Sequence, residues 1–400
     1  MTQTGSKPFA SWLDAGNSVT AQFFALAGRA DIVSLSGGFP AAELYPVDAV
    51  TQASQTVMST RGADALGYGP VEGLADLRDE IAARSSTGAL RLTRQNVLIT
   101  TGSMQALDLV GKLLVNRGDT ILTQAPAYLG ALDAWRPREP RYIRLDTTDP
   151  TVRLDAMRNS AFTYTMPNYS NPTGAVISGQ NRIALARATG ETGAWLVEDD
   201  PYGALNYDGE TYPSMLELSA DGGAEYTGSV IYLGTFSKTI APGLRVGFVI
   251  AQPAVIRALA QVKQGSDLSS SALCQAITAE LLRMNIVETH MPMVVDAYRE
   301  RRDALCETAD ELLEEHFTWS TPPGGMFVWI TAKDARVDTA KLLVTGIEQG
   351  ISFVPGSAFD PENAVSASLR LNFTLNRPEV IREGVTRLAR ASEIHYRELV

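Results

Sequence analysis

The chain has 400 residues, of which 45% are hydrophobic and 20% are charged, a balance typical of a soluble globular protein rather than a disordered one. At this length we expect two domains, or one large domain with a smaller satellite. The formal net charge of -11 argues against a general attraction to nucleic acid or anionic lipid, although it leaves room for a local basic pocket.

The cysteine and histidine content argues against a metal centre. Cys274 and Cys306 are the two cysteines, and together with the three histidines they form no metal-ligand spacing, so we expect no metal site. So few cysteines indicate reduced thiols and a cytoplasmic protein. The polar stretch Met1–Pro8 has no apolar core, so we expect no signal peptide. No apolar run approaches the roughly 20 residues of a membrane span.

Strand and helix patterns alternate through the middle of the chain. Before them, a helical pattern covers Val19–Ala27 and a short extended run ends in the turn Gly37-Gly38. From about Asn96, apolar runs of β type alternate with helical periodicity, which indicates an α/β domain with a mostly parallel sheet. In such sheets, ligands bind outside the carboxyl ends of the strands. The predicted strands are Val97–Thr101, Thr120–Gln124, Phe162–Met166, Trp195–Val197, Val230–Leu233 and Arg245–Ile250.

The C-terminal part predicts a second, smaller α+β domain. The pattern is helical from Ser269 to about Leu313, and Phe327–Ile330 and Ser368–Phe373 are predicted strands. We expect an N-terminal segment of residues 1–45 that joins the small domain. A large ligand-binding domain would cover residues 46–290, and the small domain residues 291–400.

Two candidate ligand contacts follow the first predicted strands. Residues 101–107 lead from a strand into a helix, and the free backbone N–H groups at such a helix start favour a phosphate. Many α/β proteins open a helix in this way. Tyr128 is a candidate platform for a planar ring, or an ordinary core tyrosine.

Polar residues also follow the next two predicted strands. Asn171 opens the segment Asn-Pro-Thr-Gly, which is either only a turn or a contact to a ligand oxygen. Asp199 stands at the end of a predicted buried strand, where a carboxylate can hold a heterocyclic nitrogen protonated. Tyr202, three residues on, could bind a phenolic oxygen of the same ring. The alternative is an acidic turn.

A lysine and two arginines complete the candidate site. Lys238 follows the predicted strand Val230–Leu233 and could serve as an amine nucleophile, or be an exposed lysine in a polar turn. Arg370 lies between strand apolar residues, where a charge needs a partner: a substrate carboxylate or an internal salt bridge. The residues near Lys238 that could ligate a phosphate are Thr235, Ser237 and Arg245.

Taken together and in this order, these segments resemble fold-type I pyridoxal 5′-phosphate (PLP) enzymes of the class I and II aminotransferases. The likeness is greatest to the 2-aminoadipate and kynurenine aminotransferase group. It covers about Ser18 to Arg390, and further matches lie at residues 66–74, 324–327 and 353–356. The resemblance implies an α/β fold with a large domain, whose mostly parallel sheet lies between helices, and a smaller α+β domain.

The resemblance also implies how the cofactor is held. Lys238 would join PLP as a Schiff base, Asp199 would pair with the pyridine nitrogen, and Tyr128 would stack on the ring. Asn171 and Tyr202 would bind the phenolic oxygen. The residues implied to hold the phosphate are Ser103, Met104, Gln105, Thr235, Ser237, Arg245 and, from the partner subunit of a homodimer, Tyr68.

Substrate contacts follow from the same resemblance. Arg370 would bind the α-carboxylate, and Asn171, Gly38 and Tyr68 would also contact the substrate. Fold-type I sites are typically built from both chains, so a homodimer follows. The implied catalytic residues are Lys238, Asp199 and Tyr202.

Three positions depart from the family pattern. Relatives often have an arginine, able to meet a substrate side chain, where this chain has Ala21. That change disfavours a dicarboxylic substrate such as 2-aminoadipate. Ser170 and Met104 each replace a usual glutamine, and both changes leave a cofactor site plausible.

We therefore predict a ping-pong aminotransferase that moves an amino group from an L-amino acid to a 2-oxo acid. One alternative keeps the cofactor but changes the reaction to that of a decarboxylase, lyase or oxidase. A second alternative is a DNA-binding regulator built on the same fold. It is disfavoured because the resemblance begins near Ser18 and because the chain is acidic.

Overall fold

The computed structural model describes residues 10–13, 29, 31–148, 154–222, 225–362 and 366–399. The predicted helix Val19–Ala27, with Ala21, lies outside these residues. The strands are β1 Val33–Ser34, β2 Val97–Thr100, β3 Thr120–Gln124, β4 Arg141–Leu145, β5 Phe162–Thr165, β6 Leu196–Asp199, β7 Val230–Thr235, β8 Gly247–Ile250, β9 Phe317–Trp319, β10 Phe327–Ala332, β11 Ile351–Ser352, β12 Val354–Pro355 and β13 Ser368–Asn372.

The helices, in chain order, lie mostly between these strands. They are α1 Val47–Leu66, α2 Ala75–Ser85, α3 Ser103–Leu114, α4 Leu129–Trp135, α5 Leu154–Arg158, α6 Gly179–Thr192, α7 Met215–Leu218, α8 Pro253–Gln264, α9 Ala272–Arg283, α10 Ile286–Leu312, α11 Thr339–Glu348 and α12 Pro378–Leu399. Within the described ranges, none of them is long and apolar enough to cross a membrane.

A seven-stranded sheet forms the centre of the molecule, in the order β2-β8-β7-β6-β5-β3-β4. Its strands are parallel except β8, which pairs antiparallel with both β2 and β7. Successive residues of β2 pack into two different hydrophobic clusters, Leu98 into one and Val97 and Ile99 into the other. Both faces of the sheet are therefore covered, which explains why its strands have continuous apolar runs. The predicted α/β fold with a mostly parallel sheet is confirmed.

A second, antiparallel sheet has the order β12-β13-β10-β9. In it, Arg370 on β13 lies opposite Trp329 and Val354. The N-terminal segment reaches this region, since β1 pairs with β11 through Val33 and Ile351. The division into segments 1–45, 46–290 and 291–400 stays a prediction, and α10 runs continuously across the expected boundary at residue 290.

Strand bounds follow the prediction closely where both faces are buried. Thr120–Gln124 has the predicted bounds, whereas the strand expected at Trp195–Val197 lies at Leu196–Asp199. Strand β4 was not predicted. It is the edge strand, and its polar, solvent-exposed positions give it no apolar run to recognise.

Candidate active site

A cavity of about 420 Å³ opens at the carboxyl ends of the parallel strands. Strand β6 ends at Asp199 and β7 at Thr235, while Arg370 enters the cavity from the antiparallel sheet. Most of the residues predicted from the sequence line it, namely Gly38, Ser103, Met104, Tyr128, Asn171, Asp199, Tyr202, Thr235, Ser237, Lys238, Arg245 and Arg370. Gln105 and Tyr68 are not among its lining residues.

Lys238 follows β7 and points its amine into this cavity. Its Nζ donates a hydrogen bond of 2.9 Å to the carbonyl oxygen of Gly38. Burial, together with the nearby charges of Arg245 and Arg370, lowers the pKa of Lys238 to about 8. An appreciable part of this amine is neutral near pH 7, as a nucleophile must be. The carbonyl of Gly38 therefore contacts Lys238, and the substrate contact that the resemblance implies for Gly38 stays a prediction.

Asp199 is buried at the end of β6, and its two carboxylate oxygens have different surroundings. Oδ2 accepts a hydrogen bond of 2.8 Å from the hydroxyl of Tyr164. Oδ1 is buried and has no hydrogen-bond partner among the described residues. Burial raises the pKa of Asp199 to about 7; the bond from Tyr164 opposes this rise, and repulsion from Asp200 adds to it. A protonated nitrogen of a ligand would satisfy both the free oxygen and the charge.

A candidate anion-binding site, called the anion cup below, lies at the start of α3 and is formed by Gly102, Arg245, Thr235 and Ser237. Gly102 adopts φ +76°, so the helix begins directly after it with its N–H groups unpaired by a side-chain cap. Arg245 packs against this glycine, since a Cβ on Gly102 would lie 2.3 Å from Nη2 of Arg245. The hydroxyls of Thr235 and Ser237 are 3.0 Å apart beside it. A guanidinium, two hydroxyls and a helix N-terminus together suit a phosphate.

A half-buried ion pair holds the loop that leads into this anion cup. The fully buried Lys263 donates 2.7 Å to Oδ1 of Asp267, and Oδ2 of Asp267 accepts 3.1 Å from the hydroxyl of Thr101. The side chain of Gln105 accepts from the backbone N–H of Thr101 at 2.7 Å. Gln105 thus fixes the loop with its side chain, which leaves its backbone N–H as the group that could meet a phosphate.

Arg370 is a buried cation held in one orientation. Its guanidinium donates 2.7 Å to Oδ1 of Asn171 and also donates to the carbonyl of Ser36. It lies over the rings of Phe327 and Phe359, at 4.2 Å and 4.9 Å from their centroids. Its Nε has no partner in the described part of the chain. Burial lowers the pKa of Arg370 to about 10, so the group is still cationic at neutral pH and suits a carboxylate.

Two tyrosines lie inside the cavity and one lies outside. The hydroxyl of Tyr128 is 3.7 Å from the sulfur of Met104, and burial raises the pKa of Tyr128 to about 12. Tyr202 packs edge-on against Phe327 with ring centroids 5.9 Å apart, and burial raises its pKa as well. Both phenols stay neutral and can donate hydrogen bonds. Tyr68 is 91% exposed, away from the cavity of its own chain.

Several residues that shape the site could not be predicted from the sequence. Tyr164 lies within the buried strand β5, where a tyrosine is indistinguishable from a core residue. Leu129, Asp133 and Phe359 line the cavity but stand in segments without a recognisable motif. Asp267 supports the cup from a position 166 residues beyond Thr101, a separation that periodicity cannot bridge.

The arrangement fits one cofactor in particular. PLP has an aldehyde for an amine, a ring nitrogen for a carboxylate and a phosphate for an anion cup. The cavity offers Lys238, the unpaired oxygen of Asp199 and the cup at Gly102, in a single space. The fold and the site therefore define a PLP-dependent enzyme.

Comparison with known proteins narrows this class. Residues 30–388 match the family "Aminotransferase class I and II", and the chain belongs to that family. It is 36% identical over 380 residues to the 2-aminoadipate transaminase of Thermus thermophilus, covering 94% of this chain and 93% of that protein. It is 34% identical over 376 residues to aromatic-amino-acid aminotransferase 1 of Thermococcus litoralis, covering 91% and 88%.

A solved structure supports the same assignment. The α-aminoadipate aminotransferase LysN from Thermus thermophilus, complexed with N-(5′-phosphopyridoxyl)-L-leucine, superposes with a TM-score of 0.86. It is 35% identical in sequence, and the match covers 98% of this chain and 100% of that one. The chain is thus an enzyme of PLP fold type I, its cofactor is PLP, and its reaction is transamination. These three predictions are confirmed.

Proposed function

We propose that the predicted site residues take the roles that the family resemblance implied. Lys238 would carry PLP on its Nζ, and Asp199 would hold the ring nitrogen. The observation that carries this proposal is the convergence of a low-pKa amine, an unpaired buried carboxylate oxygen and the anion cup in one cavity. When bound, PLP supplies an electrophilic carbon and a protonated ring that accepts the electron pair released at the donor's α-carbon.

The side chains of the cavity would then transfer the proton and bind the substrate and the cofactor. The Nζ of Lys238, once free, takes the proton from the α-carbon of the amino donor and returns it during transfer, as general base and acid. Arg370 fixes the α-carboxylate, and Asn171 and Tyr202 offer an amide and a phenol to the ring oxygen. The groups that would hold the phosphate are Ser103, Met104, Gln105, Thr235, Ser237, Arg245 and the Tyr68 of a second copy.

A ping-pong order is favoured by the cation content of the cavity. Lys238, Arg245 and Arg370 are the cations among its described lining residues. Since Lys238 and Arg245 would serve the cofactor, Arg370 is left to bind a single carboxylate. An amino donor and an oxo acid would therefore occupy the site in turn.

The same lining bears on the amino donor, for which we propose a neutral or apolar side chain. The lining includes the apolar residues Phe39, Leu129, Val354 and Phe359, of which Val354 and Phe359 lie next to Arg370. Among the described lining residues, Arg370 is the cation left over once Lys238 and Arg245 serve the cofactor, so a second carboxylate would be buried without a partner. A screen of half-reactions by cofactor absorbance would test this. If 2-aminoadipate and glutamate were the best donors by a wide margin, this proposal would be wrong.

We also propose that the protein is a homodimer in which Tyr68 of one subunit completes the cavity of the other. We propose the cytoplasm as its location. Tyr68 is 91% exposed, and two further exposed apolar residues, Leu66 and Leu268, are available to a second copy. Both cysteines are free thiols, as expected in a reducing compartment.

Mixing two inactive variants tests the shared site. Tyr68→Ala and Lys238→Ala subunits, unfolded and refolded together, form heterodimers with one intact site. About a quarter of wild-type activity should return if subunits pair at random. No recovery would mean that Tyr68 does not act in the partner's cavity.

The reaction itself is tested by a half-reaction. PLP-loaded enzyme mixed with an amino acid and no acceptor should form one pyridoxamine phosphate per active site, with release of one oxo acid. Release of an aldehyde or ammonia without pyridoxamine phosphate would instead support a decarboxylase, lyase or oxidase.

A further inference from the structure

We propose that Tyr164 is a positioning residue for the reaction, which holds one oxygen of Asp199 so that the other is presented, ionised, to the ring nitrogen of PLP. The inference rests on the proposed role of Asp199. It adds a residue that neither the family resemblance nor the cavity lining identifies.

The geometry separates the two carboxylate oxygens. Tyr164 lies on β5 and Asp199 at the end of the neighbouring strand β6, in parallel register. The tyrosine hydroxyl donates 2.8 Å to Oδ2, while Oδ1 has no partner among the described residues. Asp199 lines the cavity and Tyr164 does not. Tyr164 therefore binds Oδ2 of Asp199, and Oδ1 is left for a ligand.

The tyrosine ring is fixed by its neighbours. Trp135 packs edge-on against it, with centroids 5.0 Å apart and planes at 82°. The indole N–H of Trp135 donates 3.0 Å to the carbonyl of Leu107 on α3. Tyr164 itself is fully buried. A ring enclosed in this way keeps its hydroxyl aimed at Asp199 without an entropic cost at each turnover.

Burial also fixes the chemical state of the tyrosine. It raises the pKa of Tyr164 well above 10, and the charge of Asp199 adds to this effect. Tyr164 is therefore a permanent hydrogen-bond donor. Its bond lowers the pKa of Asp199, against the larger effect of burial and the repulsion from Asp200. The tyrosine thus makes Asp199 a weaker base.

That effect decides where the proton between Asp199 and the cofactor lies. A less basic carboxylate leaves the proton on the ring nitrogen; a more basic one takes it. Without the hydroxyl, Asp199 gains basicity, and the protonated fraction of the ring nitrogen falls. Losing a hydrogen bond to a charged group changes an equilibrium constant by a factor of at least about ten. We expect the dissociation constant of PLP to rise about tenfold as well.

The test is Tyr164→Phe, with Tyr226→Phe as its matched control. Tyr226 is also buried and its hydroxyl is also bonded, to Ser219 and Val230, but it does not line the cavity. The two readouts are the ¹⁵N chemical shift of ring-labelled PLP on the enzyme and the dissociation constant of PLP for the apoprotein. Tyr164→Phe should move the shift toward the unprotonated value and weaken PLP binding about tenfold. Tyr226→Phe should change neither, though it lowers the melting temperature.

A second variant keeps the test valid if Tyr164→Phe does not fold. 3-Fluorotyrosine at position 164 is a stronger donor of nearly the same shape, so the ¹⁵N shift should move further toward the protonated value. The inference is overturned if Tyr164→Phe matches Tyr226→Phe in both readouts, or if the fluorinated protein moves the shift the other way. If wild-type protein itself forms no covalent adduct with PLP at Lys238, the proposed function fails instead.

Discussion

The guanidinium of Arg370 and the side-chain oxygen of Asn171 lie 2.7 Å apart, although 199 positions separate them in the chain. Arg370 belongs to the antiparallel sheet, and Asn171 belongs to the loop that follows β5 of the large sheet. Their hydrogen bond aligns the candidate carboxylate clamp with the candidate ring-oxygen contact, so neither group needs to search for its ligand.

Replacing the clamp should weaken substrate binding more than cofactor binding. In Arg370→Gln, kcat/KM for an amino donor should fall by about 10- to 150-fold, the range for a lost hydrogen bond to a charged group. The affinity for PLP should be little changed. Steady-state kinetics and PLP titration measure the two quantities. Arg117→Gln, which removes an exposed, ion-paired arginine far from the cavity, serves as control and should match wild type.

Removing the amine of Lys238 should separate folding from chemistry. Lys238→Ala should fold, dimerise and still bind PLP non-covalently, because the cup and Asp199 are untouched. It should lose the Schiff-base absorbance and nearly all turnover. Lys112→Ala removes an exposed lysine paired with Asp108 and should keep both. Substantial turnover in Lys238→Ala would contradict the assignment of the amine.

The rate of PLP capture should depend on pH through Lys238. Only the neutral amine attacks an aldehyde, so the rate should rise with pH and level off above about 8, the pKa to which burial and the charges of Arg245 and Arg370 lower this group. A lysine in water would level off near 10.5. Stopped-flow absorbance of apoprotein mixed with PLP gives the profile. In Arg245→Gln the midpoint should move upward, because one repelling cation is gone. An unshifted midpoint would contradict this electrostatic explanation.

A pair of glycine variants isolates the close approach of Gly102 to Arg245. Gly102 and Gly118 have φ of +76° and +81°, so an alanine at either position costs about 1 to 3 kcal/mol of backbone strain. Only at Gly102 would the added Cβ meet the guanidinium of Arg245; at Gly118 nothing lies within 4 Å. Both variants should therefore melt at lower temperature, while only Gly102→Ala should bind PLP more weakly. Equal PLP affinities would show that Arg245 does not contribute to phosphate binding.

Much of the large sheet could be predicted because its strands are buried on both faces and end in polar residues. Asp199 was expected at the end of a buried strand and is the last residue of β6, whereas Thr235, expected two residues beyond a strand, is the last residue of β7. Both lie at the edge to which parallel strands bring their carboxyl ends. The edge strand β4 escaped prediction because its exposed residues break the apolar run. Contacts between distant segments could not be predicted either, and no pattern indicated that Lys238 would contact the carbonyl of Gly38.

Within the site, residue types could be predicted better than partners. The sequence indicated Gln105 for the phosphate but not that its side chain would turn back to Thr101. Tyr164 could not be predicted, because a tyrosine within a buried strand fits the pattern of a core residue, and its hydrogen bond to Asp199 leaves no trace in that pattern. Such hydrogen bonds depend on side-chain direction, which apolar periodicity does not encode.

The cavity lies between the two sheets, with Lys238 shortly after β7 of the large sheet and Arg370 on β13 of the antiparallel sheet. An amino acid bound in the proposed way, with its amino group at the cofactor on Lys238 and its carboxylate at Arg370, would link the two sheets. Ligand binding stabilises a fold by about 2.7 kcal/mol at a concentration one hundred times the dissociation constant. The enzyme should consequently resist heat and proteolysis best while it is well supplied with substrate, and it should become fragile when its amino donors run out.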